Sequence, residues 1–154
     1  MTKRYQHYAP LLLRLIIGYG FMAHGWVKLS RGPAGLEKLL TLTHVPFPHI
    51  SAWLVPFVEL IGGLAIFTGT LVTIVSIPLI LTMVVAIVTI SYKFGFSSVN
   101  TIGLTAQGPK FGPPGYEINL LYIAGLISLI LSGAGAGSVD LWLSNRKKAA
   151  KQIT

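Results

Sequence analysis

The chain has 154 residues, 53% of them hydrophobic and only 10% charged, against about a quarter charged in an ordinary soluble domain. That balance excludes a soluble globular fold and turns the question to how often one domain, residues 1–154, crosses a bilayer. Twelve Lys/Arg against four Asp/Glu give a formal charge of +8, but the basic residues stand at the ends of apolar runs, where lipid headgroups are met, and no basic stripe interleaved with aromatics marks a nucleic-acid partner.

Four apolar segments suit the roughly 20 residues an α-helix needs to cross a hydrocarbon core of about 30 Å. The first covers residues 10–29. Lys3 and Arg4 before it imitate a secretory signal, yet Arg14 sits inside the run and no A-x-A site follows, so it reads as an uncleaved span. GLEKLL at Gly35 to Leu40 then reads as a short interfacial helix, followed by the turn-forming VPFPH at Val45 to His49. From Ile50 to Tyr92 the only charge is Glu59, and the length accommodates two spans, residues 50–68 and 71–92, joined at Thr68-Gly69-Thr70. Pro78 lies well inside the third span and predicts a kink there. Lys93 to Tyr116 reads as a loop with five glycines and three prolines. The fourth span covers residues 117–138, and a basic tail, residues 144–154, closes the chain. Backbone polar groups cannot be left unpaired in lipid, so the fold class is all-α, an integral membrane four-helix bundle. Both long loops fall on one side. Lys3, Arg4, Arg146, Lys147, Lys148 and Lys151 on the terminal side, against Lys28, Arg31, Lys38, Lys93 and Lys110, favour cytoplasmic termini.

Ionisable groups at membrane depth are costly, so each asks for a partner or a purpose. On the first span Arg14, Gly18, Phe21, His24, Gly25 and Lys28 share one helical face, with Arg14 and Lys28 about 21 Å apart along the axis. On the second, Glu59, Gly62, Gly63 and Ile66 form a comparable face. On the fourth, Glu117, Ala124, Ser128 and Gly135 align as small residues suited to helix packing. The loop-side half of the bundle thus gathers His24, Lys28, Glu59 and Glu117 as a candidate polar pocket, while Arg14 and Asp140 form a candidate structural pair at the other end. Three readings stay open. The charges are structural pairs fixing helix register; they line a pocket for a quinone headgroup or small anion; or Arg14 and Lys28 snorkel to the interfaces.

Cysteine is absent, which removes thiolate catalysis, iron–sulfur ligation and thiolate zinc sites. Any redox role must use a bound cofactor or a partner. His7, His44 and His49 lie outside the spans, so no second histidine joins His24 as a haem ligand, and no metal site is expected. GAGAG at Gly133 to Gly137 and QGPKFGPPG at Gln107 to Gly115 lack the setting of a phosphate loop. Tyr5, Tyr8, Trp26, Trp53, Tyr92, Tyr116 and Trp142 mostly mark span ends as an aromatic belt.

Taken together, RLIIGYGFMAHGWVKL at Arg14 to Leu29, the VPFP turn, VELIGGLAIFTG at Val58 to Gly69, the MVVAI of the third span and GYEINLLYIAGLISLILSGAGAGSVDLWL at Gly115 to Leu143 resemble the DoxX family of small four-helix membrane proteins. The resemblance covers residues 11–143. It implies a bacterial or archaeal plasma (inner) membrane protein and a subunit of thiosulfate:quinone oxidoreductase or terminal quinol oxidase systems, or the membrane anchor of a detoxifying oxidoreductase complex. Arg14, Gly18, His24, Gly25, Lys28, Glu59, Gly62, Gly63, Glu117 and Asp140 correspond by position to the family's pattern. Ala136-Gly137 departs from it, standing where relatives often carry a basic or aromatic pair.

The reading that follows is a membrane subunit of a respiratory or oxidative-stress oxidoreductase complex, with quinone as the possible ligand, a second membrane or soluble oxidoreductase subunit or another copy as partner, and no haem or iron–sulfur cluster. The alternatives are a non-catalytic scaffold or assembly factor, suggested by the small-residue faces, and a small-molecule permease, which four short helices would serve only as an oligomer.

Overall fold

The computed structural model describes residues 5–151. Lys3 and Arg4, and the last three residues of the basic tail, lie outside the described residues. Helix α1 spans Ala9–Ser30, α2 Pro33–Leu42, α3 Pro48–Thr68, α4 Val72–Ala86, α5 Glu117–Ser132 and α6 Val139–Lys151. Three continuous helical stretches, Gln6–Ser30, Pro48–Thr68 and Val72–Phe94, are long and apolar enough to cross a membrane, and Glu117–Ser132 is a shorter apolar fourth. The protein is an α-helical membrane protein. Its outward side chains are those of a lipid-facing surface, with Ile16, Ile61, Ile77 and Leu131 all largely exposed.

Between helices in lipid there is little hydrophobic driving force, so association rests on close van der Waals contact. The α1–α3 interface achieves this with glycine. A Cβ built on Gly18 would stand 2.7 Å from the Gly63 carbonyl oxygen, one on Gly63 would stand 2.7 Å from the Gly18 oxygen, and one on Gly25 would meet the Pro56 oxygen and Leu60 nitrogen at 2.7 Å. Gly62, on the neighbouring position of α3, faces Leu79 of α4 instead. A small core of Ile17, Phe21, Ile66, Val72, Leu79, Met83, Leu126 and Leu129 fills the centre, with the Phe21 and Tyr122 rings edge to face at 5.0 Å.

Two expectations change in detail. The helix of the expected fourth span, α5, ends at Ser132 rather than at 138, because Gly133, Gly135 and Gly137 all take positive φ and turn GAGAG into a reversal. Pro78 remains within the α-helical part of α4, and the departure from α geometry comes further along, as a π turn at Ile87–Ser91 followed by a 3-10 turn at Tyr92–Phe94. GLEKLL lies within α2, whereas the loop Lys93 to Tyr116 contains an element the sequence reading missed: strand β1, Thr101–Thr105, pairs antiparallel with β2, Gly108–Phe111.

The glycine contacts generate an expectation with a built-in control. Gly63→Val should destabilise the folded protein by about 2 kcal/mol or more, the overpacking cost of adding carbons between touching backbones, seen as a lower Tm in detergent. Gly35→Ala, in α2 with nothing within 4 Å of the added carbon, should instead leave Tm unchanged or raise it, since alanine is the better helix former.

Candidate functional site

The centre of the site follows from one residue, Glu59. It is 1% exposed, and an ionised carboxylate can be held there only if a cation reaches it. Lys28 does so from the last turn of α1, placing Nζ 2.5 Å from Glu59 Oε1 and 2.6 Å from Oε2. The glycine contacts at Gly18, Gly25 and Gly63 set the register in which this happens, since Gly25 lies one turn before Lys28. The Lys28 side chain is 32% exposed, so the pair has a buried acid and a partly exposed base that lines the adjoining cavity.

Beside the pair lies a cavity of about 500 Å³. It opens between the α1–α3 pair and α4–α5, roofed by Leu36 and Leu40 of α2, and its walls are mostly aliphatic. Among its polar groups, Lys28 and Glu59, with exposed His24, come from α1 and α3, and Ser91, Asn119 and Tyr122 from the end of the third span and α5, with Ser51, Thr82 and Thr89 elsewhere in the lining. The Asn119 amide is fixed on both ends: Ser91 Oγ donates to its oxygen at 3.2 Å, and its nitrogen lies 3.5 Å from Met83 Sδ. His24 is exposed and turns its ring toward Tyr122, centroids 6.3 Å apart, while Lys28 is the residue that meets Glu59.

Other residues expected to join these two clusters are placed elsewhere. Glu117 is outside the cavity lining; its Oε2 accepts a hydrogen bond from the Ser98 N–H at 2.9 Å, so the carboxylate fixes the loop entering α5 and also sits at the favourable N-terminal end of that helix. Arg14 and Asp140 occupy one end of the bundle but form no direct ion pair among the described residues. The fully buried Arg14 gives Nη2 to the carbonyl oxygens of Ala136 and Gly137 at 3.1 and 3.3 Å, while Asp140 accepts the Leu71 and Val72 N–H groups at 2.8 and 3.1 Å and caps α4. Each charge thus meets backbone rather than the other, and Arg14 Nε and Nη1, also buried, have no hydrogen-bond partner among the described residues. On α5, Ala124 is exposed and Ser128 half-buried; the surface it packs inward is Leu126 and Leu129, with Gly125 against Ile17. Straight alignment of small residues could not show that the larger aliphatic face would win the inward position.

Sequence reading missed Ser91, Asn119 and Tyr122. Asn119 was an available signal, as an amide two residues into an otherwise apolar helix. Ser91 was not, because it closes the π turn at Ile87–Ser91, which no helical periodicity reveals. Such turns gather at functional positions, and here Thr89, Ile90 and Ser91 all line the cavity.

Comparison with known proteins places these features. The family model described as DoxX matches residues 9–92, the part that carries α1 to α4 and the Lys28–Glu59 pair. "Putative oxidoreductase CatD" of Bacillus subtilis (strain 168) is 34% identical over 97 residues, covering 62% of this chain and 69% of the relative. Membrane protein Rv3486 of Mycobacterium tuberculosis (strain ATCC 25618 / H37Rv) is 29% identical over 147 residues, covering 90% of this chain and 83% of the relative. No solved structure matches.

The pair's geometry dictates the outcome of a double-mutant cycle. Lys28→Met alone should destabilise by about 2–3 kcal/mol, below the upper range for breaking a fully buried pair because Lys28 is partly exposed. Adding Glu59→Leu should recover much of that loss, since no carboxylate is then left alone. Equal Tm values for the Lys28→Met protein and the wild type would show that the pair does not hold the fold.

Proposed function

The chain belongs to the DoxX family, and from that premise we propose that it serves as an integral membrane subunit of a respiratory or oxidative-stress oxidoreductase complex, offering its cavity to a quinone or a sulfur substrate. The observation that carries this reading is the cavity itself, with a buried carboxylate–ammonium pair on one wall and an oriented amide on the other. Its volume of about 500 Å³ lies within the usual range for small-molecule sites, which are mostly apolar with a few convergent polar groups.

The residues present fit a quinone. Aliphatic walls suit a flat ring and its hydrocarbon tail, and donors for ring oxygens come from different helices: the Lys28 ammonium of α1 and the Asn119 amide of α5. A bound quinone would supply the electron and proton acceptor. The chain's own residues orient the ring and hold protons. Lys28 stands between buried Glu59 and the cavity, on the loop side of the bundle. With no cysteine in the chain, thiol chemistry on a sulfur substrate falls to a partner subunit. The name of the Bacillus relative supports the oxidoreductase setting.

Binding of a short-tailed ubiquinone or menaquinone analogue to the detergent-purified protein tests the reading. Glu59→Gln should weaken it by about tenfold or more, the scale of losing a charge-assisted arrangement, and Asn119→Leu should weaken it as well. Purified protein that retains no quinone, and whose analogue binding is the same with and without Glu59→Gln, would rule out the quinone assignment.

A further inference from the structure

Helix α6 takes no part in the cavity. The bonds that tie it to the spans come from its first turn: the Asp140 N–H donates to the Gly69 carbonyl at 3.0 Å, and the Asp140 carboxylate takes the N–H groups of Leu71 and Val72. Gly69 closes α3 and Leu71 precedes α4, so α6 begins at the level where two apolar helices end. With α3 and the Val72–Phe94 stretch long and apolar enough to cross a membrane, that level is where their apolar stretch stops on the terminal side.

Beyond this first turn the helix changes character. Leu141, Trp142 and Leu143 are 47%, 52% and 43% exposed. Arg146 follows, its guanidinium 4.0 Å from the Trp142 ring centroid. The sequence then adds Lys147, Lys148 and Lys151, with no acid after Asp140. The one nearby negative charge is already committed to the start of α4. A short helix that leaves the end of the apolar stretches with exposed apolar side chains and four cations has the composition of an interfacial anchor.

We infer that α6 is a lipid-reading surface, docking onto the anionic phosphate headgroups of the leaflet at which the spans end. Charge complementarity selects the occupant. An acidic protein or a nucleic acid would satisfy the cations but leave Leu141, Trp142 and Leu143 without an apolar surface, whereas a leaflet supplies both, headgroup phosphates beside acyl chains. Tryptophan at this depth also matches the headgroup level it prefers. Each Lys or Arg close to an anionic surface adds attraction that falls off within a Debye length, so occupancy should depend on both lipid charge and salt.

The full chain in lipid nanodiscs, with hydrogen–deuterium exchange followed by mass spectrometry, tests this. In discs of phosphatidylcholine with about one third phosphatidylglycerol, backbone amides of residues 141–151 should exchange at least about fivefold more slowly than in phosphatidylcholine alone, and the difference should shrink in high salt. In the variant carrying Arg146→Gln, Lys147→Gln, Lys148→Gln and Lys151→Gln the difference should vanish while exchange in α1 and α3 stays the same, which reports that the bundle is intact. Equal exchange in the two lipid compositions overturns the inference, whatever the variant does. Protection by anionic lipid that survives the fourfold variant, with the bundle intact, overturns it too.

Discussion

A carboxylate in hydrocarbon has to be neutralised where it stands, and this requirement organises the fold around Glu59. α3 can bury Glu59 only if another helix delivers a cation at its depth, and α1 does so with Lys28. Delivery in turn requires that α1 and α3 touch backbone to backbone, because a lysine side chain has limited reach. Gly18, Gly25 and Gly63 remove the carbons that would hold the helices apart. Charge burial, glycine placement and helix register are therefore one constraint seen at three positions. With α1 and α3 drawn so close, the space left between them and α4–α5 on the loop side becomes the cavity.

The opposite end of the bundle solves its charge problem differently. Arg14 and Asp140 lie on elements far apart in sequence, and both are spent on backbone: Arg14 on the carbonyls of the 133–138 reversal, Asp140 on the N–H groups that open α4. Gly69 is needed there for two reasons, a left-handed φ of 73° that ends α3 and the absence of a Cβ where the Arg14 guanidinium lies. One end of the protein thus keeps charged side chains facing each other beside a cavity. The other uses them to tie turns together.

Much of this was legible in the sequence because lipid makes charge rare, and rarity makes position informative. A lone Glu59 in the long apolar stretch from Ile50 to Tyr92, and a first helix with Arg14, Lys28 and two glycines on one face, already named the participants. What could not be read was which base meets which acid. By depth His24 was the nearer match to Glu59, yet Lys28, about 6 Å further along α1, is the base that reaches it. Glu117 was misplaced because its role is in the loop before it, where Ser98 offers an N–H that no helical periodicity reveals. The hairpin Thr101–Phe111 was hidden by glycine and proline, which ordinarily signal irregular loop, and the stop at Ser132 by an alternation of Gly and Ala that reads as packing surface until the positive φ values are known.

The π turn at Ile87–Ser91 has a further consequence. Such a turn is in effect one residue inserted into a helix, and everything beyond it is rotated by about 100° from the path of an unbroken α-helix. Ser91, which meets Asn119, is the last residue of that turn. The composition of the cavity wall is therefore written partly as a count of residues. A relative shorter by one in this stretch would keep nearly the same letters yet present a different side chain to whatever the cavity holds, so specificity can diverge here by length with no substitution at all.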